Sequence, residues 1–129
     1  MFCMHYKYIV AKATRLNKGE YKMNVYRFYH KGEHFTSIWG NEETENYISA
    51  CADLTRRGFA PEYWHSQDTG KDILVYSDSF KLEKMFRYSN GNWTSRVITP
   101  ENIGILAKSI QRKLSAFTYD GEEWRVKTK

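Results

Sequence analysis

Proline and glycine are scarce in this sequence, at two and eight of 129 residues. That shortage leaves no composition from which a flexible linker or low-complexity tract could be built. Cysteine is rarer still for a chain of this size: Cys3 and Cys51 could form one bridge at most, which is no disulfide framework. Free thiols in a reducing, cytoplasmic setting are the expectation. No uninterrupted run of about 18 apolar residues occurs, so no membrane-spanning helix and no membrane partner are expected. The opening residues Met1 to Lys7 place no basic stretch ahead of an apolar one, which argues against a secretory leader. Motifs that carry chemistry are missing too. The chain has no phosphate-cradling glycine loop, no nucleophile elbow and no paired-histidine metalloprotease helix.

What the sequence does have is aromatic and apolar mass. Aromatic residues make up 16% and apolar residues 41% of the chain, enough for a packed core and incompatible with wholesale disorder. The length suits one domain, residues 1–129. Lysine and arginine total 20 against 15 acids, a net charge of +5 with an isoelectric point near 9.2. Divided near its middle, the chain carries +2 over residues 1–65 (9 basic, 7 acidic) and +3 over 66–129 (11 basic, 8 acidic).

Self-similarity organises the rest. Tyr26-Arg27-Phe28 aligns with Phe86-Arg87-Tyr88, each followed by a glycine turn, Lys31-Gly32 and Asn90-Gly91. Phe35-Thr36-Ser37 then matches Trp93-Thr94-Ser95, and Ile48, Ala52 and Phe59 match Leu106, Ile110 and Phe117. Upstream, Tyr8-Ile9-Val10 matches Ile73-Leu74-Val75. The pattern predicts an α+β fold of two pseudo-repeated βββα units, about 5–65 and 71–127, each hairpin sheet backed by one helix. Alternation over Phe80–Tyr88 puts Phe80, Leu82, Phe86 and Tyr88 on one side of a strand. Asn90-Gly91 reads as a two-residue type I′ turn, placing Arg87 opposite Thr94 and Met85 opposite Arg96. The Lys31-Gly32 turn likewise sets Phe28 opposite Phe35 and Arg27 opposite Thr36. One helix is expected from Asn41 to the Gly58 cap, with Tyr47, Ile48, Cys51, Ala52 and Leu54 as its apolar stripe. A second is expected from Thr99-Pro100 through Phe117.

With helices roofing the aromatic side, the other sheet side stays open. In the second unit it carries Lys81, Glu83, Met85, Arg87, Thr94 and Arg96; in the first, Met23, Val25, Arg27, Tyr29, His34, Thr36 and Ile38. Two uses follow. Arg27, Lys31, Lys81, Arg87 and Arg96 form a basic platform suited to nucleic-acid phosphates. Alternatively Met23, Val25, Tyr29, His34 and Ile38 form an apolar patch suited to a protein partner or to a second copy in a homodimer. Arg56, Arg57, Lys108, Arg112 and Lys113 read as solvated charges favourable to helix C-termini. The four tryptophans, Trp39, Trp64, Trp93 and Trp124, are assigned to packing. No enzyme activity, cofactor or metal is expected. His30 and His34 fall on opposite strand faces, Cys3 and His5 lack further ligands, and Cys51 sits on an apolar stripe where a thiol is inert.

Overall fold

The computed structural model describes residues 24–128. Met23, Tyr8–Val10 and Cys3 to His5 therefore lie outside the described residues. Within them the fold is α+β, as alternation and helical spacing imply. Strands β1 (Val25–His30) and β2 (Glu33–Trp39) form a hairpin, followed by α1 (Asn41–Arg56) and the β3 (Glu62–His65) and β4 (Asp72–Tyr76) pair. Strands β5 (Ser79–Arg87) and β6 (Trp93–Val97) form the next hairpin. A 3₁₀ turn (Ile103–Ile105), helix α2 (Lys108–Leu114), β7 (Phe117–Tyr119) and β8 (Trp124–Val126) complete the chain.

The two long hairpins do not build separate sheets. β1 pairs antiparallel with β5 through Val25–Met85, Arg27–Glu83 and Tyr29–Lys81, joining them edge to edge. β5 is long enough for two neighbours on its other edge: β8 along Ser79–Phe80 and β6 along Glu83–Arg87. Where the edge changes hands, the Ile98 amide donates to the Leu82 carbonyl, and the Trp124 indole N–H caps the Ile98 carbonyl at 2.9 Å. Trp124 thus satisfies a buried acceptor at the junction while filling space with its ring.

Both helices lie on one side. Ile48, Cys51 and Leu54 of α1 and Ile110 and Leu114 of α2 share one apolar cluster with Tyr26, Phe28, Ile38, Phe80 and Leu82. Ring contacts run through it, Phe28 meeting both Tyr47 and Phe80 edge-to-face at 5.0 Å, and Phe80 meeting Phe117 at a tilt at 5.1 Å. The α1 boundaries match the sequence expectation. Gly58, at φ 93°, lets the Phe59 amide reach back to the Leu54 carbonyl and its own amide to Thr55, a Schellman ending.

Three expectations need correction. The second helix is broken: Gly104 between two β-branched isoleucines is a poor helical run, and Leu106 and Ala107 are extended. The freed Ile105 and Leu106 carbonyls accept hydrogen bonds from Lys84 Nζ and Gln111 Nε2. Phe117 belongs to a strand. The first hairpin does close on a type I′ turn, with Lys31 at φ 54° and Gly32 at φ 85°, but Phe35 is an extra residue. Tyr29 faces His34, whereas Phe28 faces Thr36 and Arg27 faces Ser37. This bulge turns Ile38 into the core, where it is 2% exposed. Ile38 is therefore not an interface residue, and Thr36 shares its side.

The second hairpin is also one residue away from the expected pairing. Tyr88 and Gly91 close a turn over Ser89-Asn90, with Gly91 alone at positive φ and the Asn90 side chain accepting the Asn92 amide. This is a turn with a glycine bulge rather than a type I′ turn. Arg87 then faces Trp93, and Arg96 faces Lys84 on the helix side of the sheet. Arg96 is exposed there, apart from Arg27 and Arg87.

Ile38→Ala is expected to cost about 2–5 kcal/mol, as for a buried isoleucine, read as a lower urea midpoint with unchanged slope. A cost below about 0.5 kcal/mol, the range of surface substitutions, would return Ile38 to the open side.

Candidate functional site

Across strands β2-β1-β5-β6, the pairings arrange the open side in transverse rows. Trp39, Val25, Met85 and Ser95 form one; Ser37, Arg27, Glu83 and Val97 form the next; His34, Tyr29 and Lys81 form the third. Beyond Met85 on the same side comes the Arg87–Trp93 pair. No described helix covers these rows. A groove of about 390 Å³ runs along them, lined by Val25, Arg27, Ser37, Trp39, Met85 and Trp93. Its floor is apolar, a tryptophan stands at each edge, and an arginine flanks the floor on either side. Trp93 is 43% exposed with the Arg87 guanidinium 5.7 Å from its ring centre.

Glu83 organises the charges. Its Oε1 accepts a hydrogen bond from the Tyr29 hydroxyl at 2.7 Å and lies 3.8 Å from Arg27 Nη1, while its Oε2 accepts from Ser95 at 2.8 Å. Burial and, second, the Glu83 contact raise the Tyr29 pKa. Lys81 Nζ sits 5.4 Å from the Tyr29 ring, and His34 meets that ring edge-on at 5.5 Å. Burial, followed by the Arg27 charge, lowers the His34 pKa, so at neutral pH this ring is uncharged and carries no phosphate-binding charge of its own.

The structure thus brings together Val25, Arg27, Tyr29, His34, Lys81 and Arg87 among the residues singled out in the sequence. It separates Ile38 and Arg96, for the reasons given above, and Lys31. Lys31 tips the first turn at the far end of the sheet, where its amide donates to Glu123 Oε2 at 2.8 Å. That end holds a polar cleft of about 580 Å³ with Asp78, Asp120 and Glu122 on its walls, a setting of the wrong sign for phosphate. Residues missed were Trp39 and Trp93, brought to the open side by the two bulges, and Lys84. Desolvation by burial lowers the Lys84 pKa, and its Nζ lies 5.2 Å and 5.8 Å from the Phe86 and Tyr26 ring centres.

Among the described residues no group of three His, Cys, Asp or Glu side chains is placed to hold a metal ion. Burial pushes the Cys51 thiol up to about 12, so it is no nucleophile at neutral pH. His30 uses Nδ1 on the Ser79 carbonyl and Ser77 hydroxyl, a structural anchorage beneath the Ser79–Glu123 hydrogen bond. No described helix is long and apolar enough to cross a membrane. No known protein family, curated protein or solved structure matches the chain.

Asp120 beside the cleft gives a pH test. Amides of Glu123 and Glu122, then the Arg125 guanidinium, hold its carboxyl at about 2, below its ordinary 3.8. A depressed carboxylate stabilises above its unfolded pKa, and the contribution is lost as pH falls through the folded one. Asp120→Asn is expected to lower the urea midpoint at pH 7 and to flatten its decline between pH 4 and pH 2. An unchanged acid limb would contradict that assignment.

Proposed function

We propose that the open sheet side binds single-stranded nucleic acid, without catalysis. The observation that carries this reading is the groove itself: an apolar floor of Val25 and Met85 between Trp39 and Trp93, with Arg27 in its lining and Arg87 beside Trp93. Aromatic faces on a sheet take unstacked bases regardless of sequence, and adjacent arginines take phosphates and stack on bases. A duplex offers no free base faces, so the preference is for single strands. On the open side Arg87 is an exposed cation beside a stacking ring, while Lys81 and Tyr29 extend the surface along the sheet.

The competing use of the same groove is an apolar peptide. The pairing of Arg27 with Glu83 favours it, since that carboxylate takes up part of the positive charge facing the groove. The two differ in what they compete with.

In fluorescence anisotropy with a labelled 20-nucleotide oligo(dT) at low salt, the intact chain is expected to bind. Trp93→Ala should weaken binding roughly tenfold, as stacking on one base is worth about 1–3 kcal/mol. A duplex of equal length should compete poorly. Absence of oligo(dT) binding at low salt overturns the proposal.

A further inference from the structure

Stacking on tryptophan takes any base, so selectivity in the groove has to come from its polar groups. Among the lining residues these are few. Ser37 Oγ lies 2.9 Å from His34 Nε2, and the two indoles offer one N–H each. Arg27 supplies the rest, a planar guanidinium with five N–H donors and no acceptor. The groove is therefore rich in donors, and a base edge that meets it well must present acceptors.

Arg27 is also held from behind. Its Nη1 donates to the Tyr29 hydroxyl at 3.4 Å and lies 3.8 Å from Glu83 Oε1, while Tyr29 donates to that same oxygen at 2.7 Å. Glu83 Oε2 is in turn fixed by the Ser95 hydroxyl at 2.8 Å. The Glu83 side chain is 15% exposed and that of Arg27 43%, so the carboxylate is the inner member of the pair and the guanidinium the outer one. Among the described residues both contacts of the guanidinium use Nη1, and the Nε–Nη2 edge keeps its donors for an outside partner. A fork restrained in this way loses less freedom on binding than a freely solvated one.

The spacing suits a base on the groove floor. Arg27 lies two residues from Val25 along β1 and Glu83 two from Met85 along β5, which puts their row about 7 Å from the floor row. A ring stacked on a tryptophan over Val25 and Met85 brings its edge to Arg27. On the edge that carries N7, guanine presents two adjacent acceptors, O6 and N7, and takes an arginine fork bidentately. Adenine and cytosine place an amino donor on the corresponding edge, and thymine a single acceptor beside a methyl group.

We propose that the groove selects guanine among unpaired bases, with Arg27 reading O6 and N7 and Glu83 as the positioning residue that holds Arg27. This rests on the nucleic-acid reading of the groove and adds the class of base to it.

The test measures fluorescence anisotropy of the full chain with four labelled 20-nucleotide single strands: oligo(dT), alternating dT-dG, alternating dT-dC and alternating dC-dA. With guanine at every second position and about tenfold discrimination at a bidentate contact, the dT-dG strand should bind about fivefold tighter than each of the others. Substituting 7-deazaguanine, which lacks N7, should abolish that gain; substituting hypoxanthine, which lacks only the 2-amino group, should keep it. Arg27→Met should abolish the gain, whereas Arg87→Met should weaken all four strands alike and preserve it. Glu83→Gln should shrink the gain and yet raise affinity for oligo(dT), because it removes a negative charge from the phosphate-binding side. Urea midpoints check that each variant folds, and the base analogues need no variant at all. Equal binding of all four strands would show the selection to be wrong while the groove reading stands. A gain that survives 7-deazaguanine or Arg27→Met overturns the contact, and one undiminished in Glu83→Gln overturns the positioning role. Failure of every strand to bind overturns both the selection and the groove reading.

Discussion

Two β-hairpins bring four strand edges into solution, each a row of unpaired amides and carbonyls. Pairing β1 with β5 removes two of those edges at once and fuses the hairpins into one surface. Everything asymmetric about the molecule follows. Because β1 and β5 run side by side with Tyr26, Phe28, Phe80 and Leu82 facing one way, a single apolar face is large enough to take both helices. The opposite face is then continuous across four strands, so tryptophans contributed by different hairpins border one groove.

Which side chains reach that face is decided by two single-residue irregularities. Side chains alternate along a strand, so one inserted residue exchanges the two faces beyond it. Phe35 does this in β2, sending Ile38 inward and Trp39 outward. The glycine bulge at Gly91 does it in β6, bringing Trp93 to the groove and Arg96 to the other side. The apolar character of the groove edges and the loss of one arginine from the cluster both come from these local features.

Alternation in the sequence was sufficient for Val25, Arg27, Tyr29, Lys81 and Arg87, which lie on strand segments no bulge interrupts. The Lys31-Gly32 turn and both ends of α1 were equally legible, because glycine at positive φ and a regular apolar stripe are local signals. Asn90-Gly91 was ambiguous: a left-handed glycine serves a two-residue turn and a bulged one alike, and only pairing distinguishes them. Phe35 gave no signal, since a phenylalanine suits either register. The broken second helix reflects tertiary choice, with Leu106 and Phe117 placed in the core by extended backbone instead of a continuous helix. The pairing of β1 with β5 was invisible, because it depends on strands more than fifty residues apart.

Glu83 shows how one largely buried acid on the open side can set the character of a basic surface. By accepting from Tyr29 and Ser95 and standing beside Arg27, it ties together side chains from three neighbouring rows and takes up part of the positive charge around them. The result is a rigid, weakly charged platform rather than a strongly basic one. The most direct test is a nuclear Overhauser map of cross-strand contacts in the intact chain. Arg27 opposite both Ser37 and Glu83, with Phe28 opposite Thr36 and Arg87 opposite Trp93, is the predicted pattern. Arg27 opposite Thr36 and Arg87 opposite Thr94 would return Ile38 and Arg96 to the open side, remove both tryptophans from it, and contradict the groove.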